Sequence, residues 1–279
     1  MLFLLAQALF AATPFTPEHS FTSGVEGPAT DRAGNVYAVS YARTDTIGRI
    51  TPEGKGEVWV TMPAGSLGNG IRFTPDGRMF VADYKGHNIL KIDPVSRKIS
   101  VFAHEPKMNQ PNDIALGPDG TLWASDPAWK EGTGQVWRID RDAKVTRVAS
   151  GMSTTNGIEV SPNGKYLYVN ESGSRKVWRF RITRDRSLAE KKLLIEFPDF
   201  GMDGMRADVK GNLYITRHGK GVVAIVSPRG KVLREVDVLG KSPTNITFGG
   251  PDGKTCYVTE VEKGRLVQFR SQWAGRDES

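Results

Sequence analysis

Short side chains that carry oxygen recur along this chain, each eight residues before the glycine of a tight-turn sequence. These six marker residues pair with their glycines as Glu26/Gly34, Asn69/Gly77, Asn112/Gly120, Asn156/Gly164, Asp203/Gly211 and Asn245/Gly253. Successive marker residues are 43, 43, 44, 47 and 42 positions apart. A repeat of about 40 to 50 residues with one hairpin turn in each unit is typical of the blades of a β-propeller.

Each repeat contains the pattern of a short strand, a tight turn and a returning strand. The turns after Asn69, Asn112 and Asn156 read Pro-Asp-Gly or Pro-Asn-Gly, in which proline fixes one φ angle and the next pair tolerates a positive one. Third strands are predicted at 134–140 and 176–182, where apolar and polar residues alternate. Fourth strands are predicted at 99–104, 145–149 and 232–238. This pattern predicts an all-β fold, a six-bladed β-propeller with four antiparallel strands per blade.

The sixth repeat lacks a fourth strand, because a polar tail follows its third strand at 265–270. We expect segment 18–23 to supply that strand, so that an N-terminal strand closes the ring and leaves fewer exposed edges. The repeats occupy nearly all of the 279 residues. We therefore predict one propeller domain over residues 14–272 and a polar tail over residues 273–279.

Residues 1–12 are almost wholly apolar and have no place in the repeat. They resemble the hydrophobic region of a secretion signal with small residues near its end, although no basic segment precedes them. They are too few to span a bilayer as a helix, so no stable membrane insertion is expected. We expect residues 1–13 to be a signal or an N-terminal arm. A signal would make the protein secreted or periplasmic, and an arm would leave it cytoplasmic.

Composition narrows the range of partners. The formal net charge is +7, and much of the excess lies between residues 175 and 192. No aromatic stacking platform or nucleic-acid motif accompanies that charge, so we interpret it as a solvated outer hairpin and expect no nucleic-acid partner. The single cysteine, Cys256, lies in a predicted strand with apolar neighbours, which indicates a buried, inert thiol. We expect a monomer, as for many propellers.

The marker residues are expected to converge, because the first strand of each propeller blade lines the central channel. Their carboxylate and amide oxygens are hard ligands that suit Ca²⁺, Mg²⁺ or Mn²⁺ better than zinc or copper. Amides at the start of a strand also bind loop backbone, and for Asn69 and Asn245 we favour that structural role. For Glu26 and Asp203 we favour a cation site, because two facing carboxylates repel unless a cation lies between them.

The returning strand of each hairpin ends at the same mouth of the channel, so residues 14 and 15 positions after each marker residue should surround the site. These rim residues are Ser40/Tyr41, Asp83/Tyr84, Asp126/Pro127, Asn170/Glu171, Arg217/His218 and Thr259/Glu260. His218 is the only one of the four histidines in this set, and both a substrate-binding role and a surface role stay open for it. Asp83 and Asp126 also fit the role of turn caps.

Five segments match, in order and spacing, the motifs of a known family. They are Val25-Glu-Gly-Pro28, Met108-Asn-Gln-Pro-Asn-Asp113, Thr155-Asn-Gly157, the segment from Met202 to Tyr214, and the segment from Pro243 to Lys254. Over about residues 22–270 the chain resembles the gluconolactonase/regucalcin (senescence marker protein) family of six-bladed propellers. Two positions depart from the family pattern: Met202 replaces a proline, and Gln110 stands where animal members carry a substrate-contacting arginine.

The resemblance implies a metal site and a substrate site at the channel mouth. It implies that Glu26, Asn156 and Asp203 ligate one divalent cation, Ca²⁺ first, with Mg²⁺, Mn²⁺ and Zn²⁺ as alternatives. It places Asn112 beside the cation, where this residue contacts substrate or completes the coordination. It also implies that Asn109 and Asp113 flank the substrate.

The function expected from these residues is the metal-dependent opening of a lactone. The protein would then be a calcium-dependent lactonase, a carboxylic ester hydrolase whose partner is a small-molecule lactone or ester. The cation would polarise the lactone carbonyl, and Asp203 would act on water as general base. Two alternatives stay open, which are Asp203 as a direct nucleophile and activation of the water by the cation itself.

Three alternatives differ in how far they depart from this reaction. The first keeps the site and hydrolyses organophosphates or aryl esters. The second is a non-enzymatic propeller that binds a ligand or a protein. The third, a streptogramin-lyase-like activity, is less favoured, because such enzymes are expected to use histidine at the site and only His218 is available.

Overall fold

The computed structural model describes residues 8–276 of the chain. In that range the backbone forms 24 strands and no helix, arranged as six antiparallel sheets of four strands each. The predicted six-bladed β-propeller is therefore confirmed. Across the same range there is no helix long and apolar enough to cross a membrane.

Blades one to five each contain four strands that follow one another in the chain and pair in that order from the channel outward. The strands of blades one to three are β2 (Phe21–Thr30), β3 (Val36–Tyr41), β4 (Thr46–Ile50), β5 (Gly56–Thr61), β6 (Gly68–Phe73), β7 (Met79–Asp83), β8 (Asn88–Ile92), β9 (Ile99–His104), β10 (Ile114–Leu116), β11 (Leu122–Ala128), β12 (Thr133–Ile139) and β13 (Val145–Met152).

Blade six combines three C-terminal strands with the first strand of the chain. The strands of blades four to six are β14 (Thr155–Val160), β15 (Tyr166–Glu171), β16 (Lys176–Ile182), β17 (Leu188–Glu196), β18 (Met205–Ala207), β19 (Leu213–Arg217), β20 (Val222–Val226), β21 (Val232–Asp237), β22 (Pro243–Gly249), β23 (Thr255–Glu260), β24 (Arg265–Arg270) and β1 (Thr13–Pro14).

The ring closes through β1, which pairs with β24 at Thr13↔Gln268 and Pro14↔Val267. The expectation that segment 18–23 forms this strand was wrong, because Phe21 already begins β2 on the channel wall. Segment 18–23 instead leads into the innermost strand of blade one, where Phe21 pairs with Tyr41 of β3. Residues 15–20 connect β1, the outermost strand of blade six, to β2.

The turn glycines that define the repeat adopt the backbone conformation for which glycine is needed. Gly34, Gly77, Gly120, Gly164, Gly211 and Gly253 all have a positive φ, between 67° and 85°. A residue with a Cβ atom is strained in this region, whereas glycine is not. The constant offset in the sequence therefore reports one hairpin geometry repeated in every blade.

The hydrophobic core lies between neighbouring blades rather than in one central cluster. Between blades one and two, Ile71, Val81 and Leu90 pack against Tyr37 and Ile47, and none of the five is more than 3% exposed. Removing such side chains from water contributes about 25 cal/mol for each Å² of apolar surface. The outer strands contribute less, since five of the six residues of β21 are exposed.

Both ends of the described chain lie against the propeller. The Phe10 amide donates to the Arg270 carbonyl at 2.8 Å, and the Phe10 side chain packs against the core between blades five and six. At the other end, Gly275 bridges to Asp208 and Arg276 forms an ion pair with Glu159 at 3.0 Å. Residues 1–7 of the expected signal or arm, and residues 277–279 of the expected tail, fall outside the described residues.

Candidate active site

One mouth of the central channel opens into a cavity of about 480 Å³. The cavity is lined by five of the six marker residues, Glu26, Asn69, Asn112, Asn156 and Asp203. The sixth marker residue, Asn245, lies behind them, where its amide nitrogen donates to Glu26 Oε2 at 2.9 Å.

Glycines let the marker residues come together. Gly27 follows Glu26 with a φ of +58°, and a Cβ atom there would lie 2.0 Å from the Asn69 carbonyl oxygen. Gly204 follows Asp203, and a Cβ atom there would lie 2.0 Å from Asn245 Cγ. Only glycine permits so close an approach of neighbouring first strands at the axis.

The two acidic marker residues face each other across the cavity floor. The Glu26 and Asp203 carboxyl groups lie within hydrogen-bonding reach of one another. Burial raises the pKa of Glu26 to about 7, against the hydrogen bonds from Gly27 and Asn245 that lower it. Burial and the neighbouring Glu26 raise the pKa of Asp203 well above its usual range. Two carboxyl groups this close require a proton or a cation between them.

Beside the acids, two amide oxygens are buried without a hydrogen-bond partner. Asn156 donates its amide nitrogen to Ser172 Oγ at 3.2 Å and hydrogen-bonds to Asp203, while its Oδ1 is unpaired. Asn69 Oδ1 is also buried and unpaired, which differs from the loop-binding role expected for it. A buried carbonyl oxygen without a partner costs about 1–3 kcal/mol, so a ligand for these atoms would be stabilising.

The residues present fit a hard divalent cation. Two carboxylates and at least one free amide oxygen on the cavity floor are the donor type that Ca²⁺ takes in proteins. Residues 8–276 contain no group of three or more His, Cys, Asp and Glu suited to a metal, so the site depends on amides as well as acids. Asn245 has a structural role, because its nitrogen binds Glu26 and its oxygen accepts the Ile246 amide.

The structure brings together four of the seven residues assigned to the site from sequence, namely Glu26, Asn112, Asn156 and Asp203. It does not place the other three on the cavity lining. The Asn109 amide donates to Asp126, Asp113 is fully buried and pairs with Arg206 at 3.0 Å, and His218 is exposed. Substrate contacts for Asn109, Asp113 and His218 stay predictions.

Further along the channel lies a layer of buried charges that sequence reasoning missed. Arg72 approaches Glu159 at 3.5 Å, Arg276 pairs with Glu159 at 3.0 Å, and Arg206 pairs with Asp113. The side chains of these five residues are at most 6% exposed. The signal for three of them is simple in retrospect, because Arg72, Glu159 and Arg206 each follow a marker residue by three positions.

The cavity wall also includes Tyr84, Lys85 and Trp129. Two buried aspartates hold the turns that present them, as the sequence allowed. Asp83 accepts hydrogen bonds from Ser66 Oγ, Leu67 N, Gly86 N and Asn88 Nδ2. Asp126 accepts from Asn109 N, Gln110 N, Gln135 Nε2 and Trp137 Nε1.

Fold and site together define a class of protein, a six-bladed β-propeller with acidic and amide oxygens gathered on its axis. The chain belongs to the SMP-30/gluconolactonase/LRE-like family, whose model matches residues 25–262. The resemblance seen in the motifs is thereby confirmed.

The curated relatives of this chain include a lactonase and a fluorophosphatase. The chain is 27% identical to a gluconolactonase of Zymomonas mobilis, over 96% of this chain and 84% of that protein. It is 26% identical to the diisopropyl-fluorophosphatase of Loligo vulgaris, over 94% of this chain and 93% of that protein.

Solved structures share the fold at lower identity. The calcium-binding protein regucalcin of Agrobacterium tumefaciens matches with a TM-score of 0.80 at 20% identity, over 96% of both chains. A gluconolactonase of Xanthomonas campestris matches with a TM-score of 0.80 at 20% identity, over 93% of this chain and 89% of that one. At this identity the similarity shows the fold alone.

Proposed function

We propose that this protein hydrolyses a small-molecule lactone with the help of one divalent cation, calcium first. The observation that carries the proposal is the facing pair Glu26 and Asp203, beside the unpaired Asn156 Oδ1, on the floor of an open cavity. The gluconolactonase among the relatives supports the reaction class.

The cation would be held by Glu26, Asn156 and Asp203, with Asn69 Oδ1 as a further oxygen donor. When bound, it supplies a Lewis acid that polarises the lactone carbonyl and stabilises negative charge on the carbonyl oxygen. Asn245 keeps Glu26 oriented by donating to Oε2, and Ser172 keeps Asn156 oriented by accepting from its amide nitrogen. Both contacts fix the ligand side chains before any cation arrives.

Asp203 is proposed as the general base. Its carboxyl group lies on the cavity lining and is positioned from two sides by Glu26 and Asn156. It would take a proton from water while the water oxygen bonds to the carbonyl carbon, and give a proton to the ring oxygen as the ring C–O bond breaks. The product is a hydroxy acid, which ionises in water.

Neutral and aromatic groups would orient the lactone ring. Asn112 offers an amide to the ring oxygens from the cavity lining, and it is only 6% exposed. Tyr84 and Trp129 form an aromatic wall on the same cavity. Positioning of this kind holds the carbonyl near the attacking water.

A panel of aldono- and alkyl-lactones tests the proposal, with acid release followed by a pH indicator. We expect hydrolysis that stops on chelation and returns with Ca²⁺. The variant Asp203→Asn should lower kcat by about 10²–10⁴-fold, the usual contribution of a general base. Asp142→Asn, a change at an exposed turn of blade three, is the matched control and should leave kcat unchanged. Activity that survives both chelation and Asp203→Asn would overturn the mechanism.

A second candidate reaction uses the same site on an organophosphate or aryl ester. The aromatic wall of Tyr84 and Trp129 and the similarity to a diisopropyl-fluorophosphatase favour it. The comparison is the ratio of kcat/KM for an aryl phosphotriester to that for an aldonolactone. A ratio above one would show that the phosphotriester, rather than the lactone, is the preferred substrate.

A further inference from the structure

The cavity wall contains one cationic side chain, Lys85. Among the described residues that line the cavity, it is the only Lys, Arg or His. Lys85 is exposed, and its side chain makes no hydrogen bond or ion pair with any described residue. An ammonium group that faces a cavity without a partner is available to bind an anion from solution.

The backbone around Lys85 is fixed, which distinguishes this lysine from one on a loose surface turn. Asp83, two residues earlier, is fully buried and accepts four hydrogen bonds, two of them from the amides of Leu67 and Gly86. In addition, the Tyr84 amide donates to the Leu67 carbonyl at 2.8 Å. The turn therefore presents Lys85 to the cavity in one backbone conformation.

The aromatic wall is held in place as well. The Trp129 indole N–H donates to the Tyr84 hydroxyl, and the Trp129 amide donates to Gln110 Oε1 at 3.3 Å. The same cavity is lined by the acidic residues Glu26 and Asp203 and by Lys85. It thus contains three kinds of group, which are oxygen donors, aromatic rings and a cation.

We propose that Lys85 determines specificity and that the substrate is a lactone with an anionic substituent, a carboxylate, phosphate or sulfonate, remote from the lactone carbonyl. This inference rests on the proposed function. The carbonyl end would reach Asp203 and Glu26, the ring would lie on Trp129, and the anionic group would meet Lys85. The overall charge of +7 favours the approach of such a substrate.

A matched pair of lactones tests the inference. D-Glucaro-1,4-lactone and D-glucono-1,4-lactone share the ring and differ in whether the far end carries a carboxylate or a hydroxymethyl group. The measured quantity is the ratio of kcat/KM for the anionic lactone to that for the neutral one. We expect Lys85→Gln to lower this ratio about fivefold, which is the upper end for a solvent-exposed charge pair. The loss should appear in KM for the anionic lactone.

Two controls separate a contact from a general effect of charge. Lys130→Gln makes the same charge change beside Trp129, but Lys130 does not line the cavity, so the ratio should stay as in the unchanged protein. Lys85→Arg keeps the cation and should restore most of the ratio. Raising the ionic strength from 0.05 to about 0.5 M should reduce the effect of Lys85→Gln, because salt screens exposed charges.

Failure of this inference differs from failure of the proposed function. Hydrolysis of both lactones with an equal ratio in Lys85→Gln, Lys130→Gln and the unchanged protein would remove Lys85 from substrate binding and leave the lactonase proposal intact. An equal fall of the ratio in Lys85→Gln and Lys130→Gln would replace the contact by long-range attraction. No hydrolysis of either lactone, or of any other in the panel, would overturn the function itself.

Discussion

Two facing carboxyl groups dominate the site at the scale of single residues. Glu26 and Asp203 are the only acids among the six marker residues, which is why sequence alone could single them out. The sequence could not single out Lys85, because this residue lies one position after the expected rim residues. A repeat also does not show which of its loops line the cavity. Asp113 sits beside a marker residue in the sequence, yet its carboxylate turns to Arg206 in the buried charge layer.

The facing carboxyl groups of Glu26 and Asp203 are expected to lower the stability of the metal-free protein at high pH. Burial raises the pKa of Glu26 from its usual value of 4.5 to about 7. Between these two pH values, the folded metal-free protein therefore holds a proton on Glu26 that the unfolded chain has released. Stability should therefore fall as the pH rises through this window. Asp203→Asn removes one of the two repelling groups. At pH 8 we expect this variant, without metal, to melt about 2–4 °C higher, the shift that ~1 kcal/mol gives in a domain of this size.

Calorimetry at pH 5 and pH 8, with and without Ca²⁺, measures both effects. At pH 5 the unchanged protein and Asp203→Asn should melt at similar temperatures, because the carboxyl groups of the site are protonated. Ca²⁺ should raise the Tm of the unchanged protein at pH 8 and have little effect on the variant. A lower Tm for Asp203→Asn at pH 8 would contradict the repulsion, and equal calcium shifts would remove Asp203 from the cation site.

The thiol of Cys256 is expected to be unreactive in the native protein. The residue is buried in the core between blades five and six, as expected from sequence, and burial raises the pKa of its thiol far above the usual range. The thiolate is the reactive form, so an aromatic disulfide reagent should label less than one tenth of the protein in an hour under native conditions. One equivalent should react within minutes in denaturant. Rapid native labelling would show that blade six opens locally.

At the scale of strands and turns, periodicity predicted much of the fold. The strand expected at 176–182 is β16 with the same bounds, and the one expected at 134–140 is β12 shifted by one residue. Alternating apolar residues carry that information because each strand buries one face. The identity of the closing strand could not be found this way, since the two residues of β1 are too short for any period.

The turn held by Asp126 predicts a costly substitution. Asp126→Ala leaves the amides of Asn109 and Gln110 and the side chains of Gln135 and Trp137 without their acceptor. At about 1–3 kcal/mol for each buried donor left unpaired, partly relieved by water, we expect a loss of about 2–4 kcal/mol in the free energy of unfolding. Urea denaturation measures it. Asp142→Ala, at an exposed turn of the same blade, should change stability by less than about 0.5 kcal/mol.

At the scale of the whole molecule, the propeller depends on a strand borrowed from the other end of the chain. β1 covers the outer edge of β24, and Phe10 and Ala12 pack against the core beside it. A chain that starts at Phe15 should therefore melt at least 5 °C lower than one that starts at Ala8, and should aggregate through the exposed β24 edge. Circular dichroism and light scattering report the two effects. Equal melting temperatures would show that three strands suffice for blade six.

The buried charges in the channel affect how substrate and product enter and leave the cavity. The side chains of five residues are buried along the channel and form ion pairs there, namely Arg72, Glu159, Arg206, Asp113 and Arg276. We therefore expect the lactone to enter and the product to leave by the same opening of the cavity. A hydroxy acid released at the floor would pass Lys85 on its way out, and incoming lactone would wait for it. Turnover should then slow as product accumulates, with the acid competing directly against the lactone.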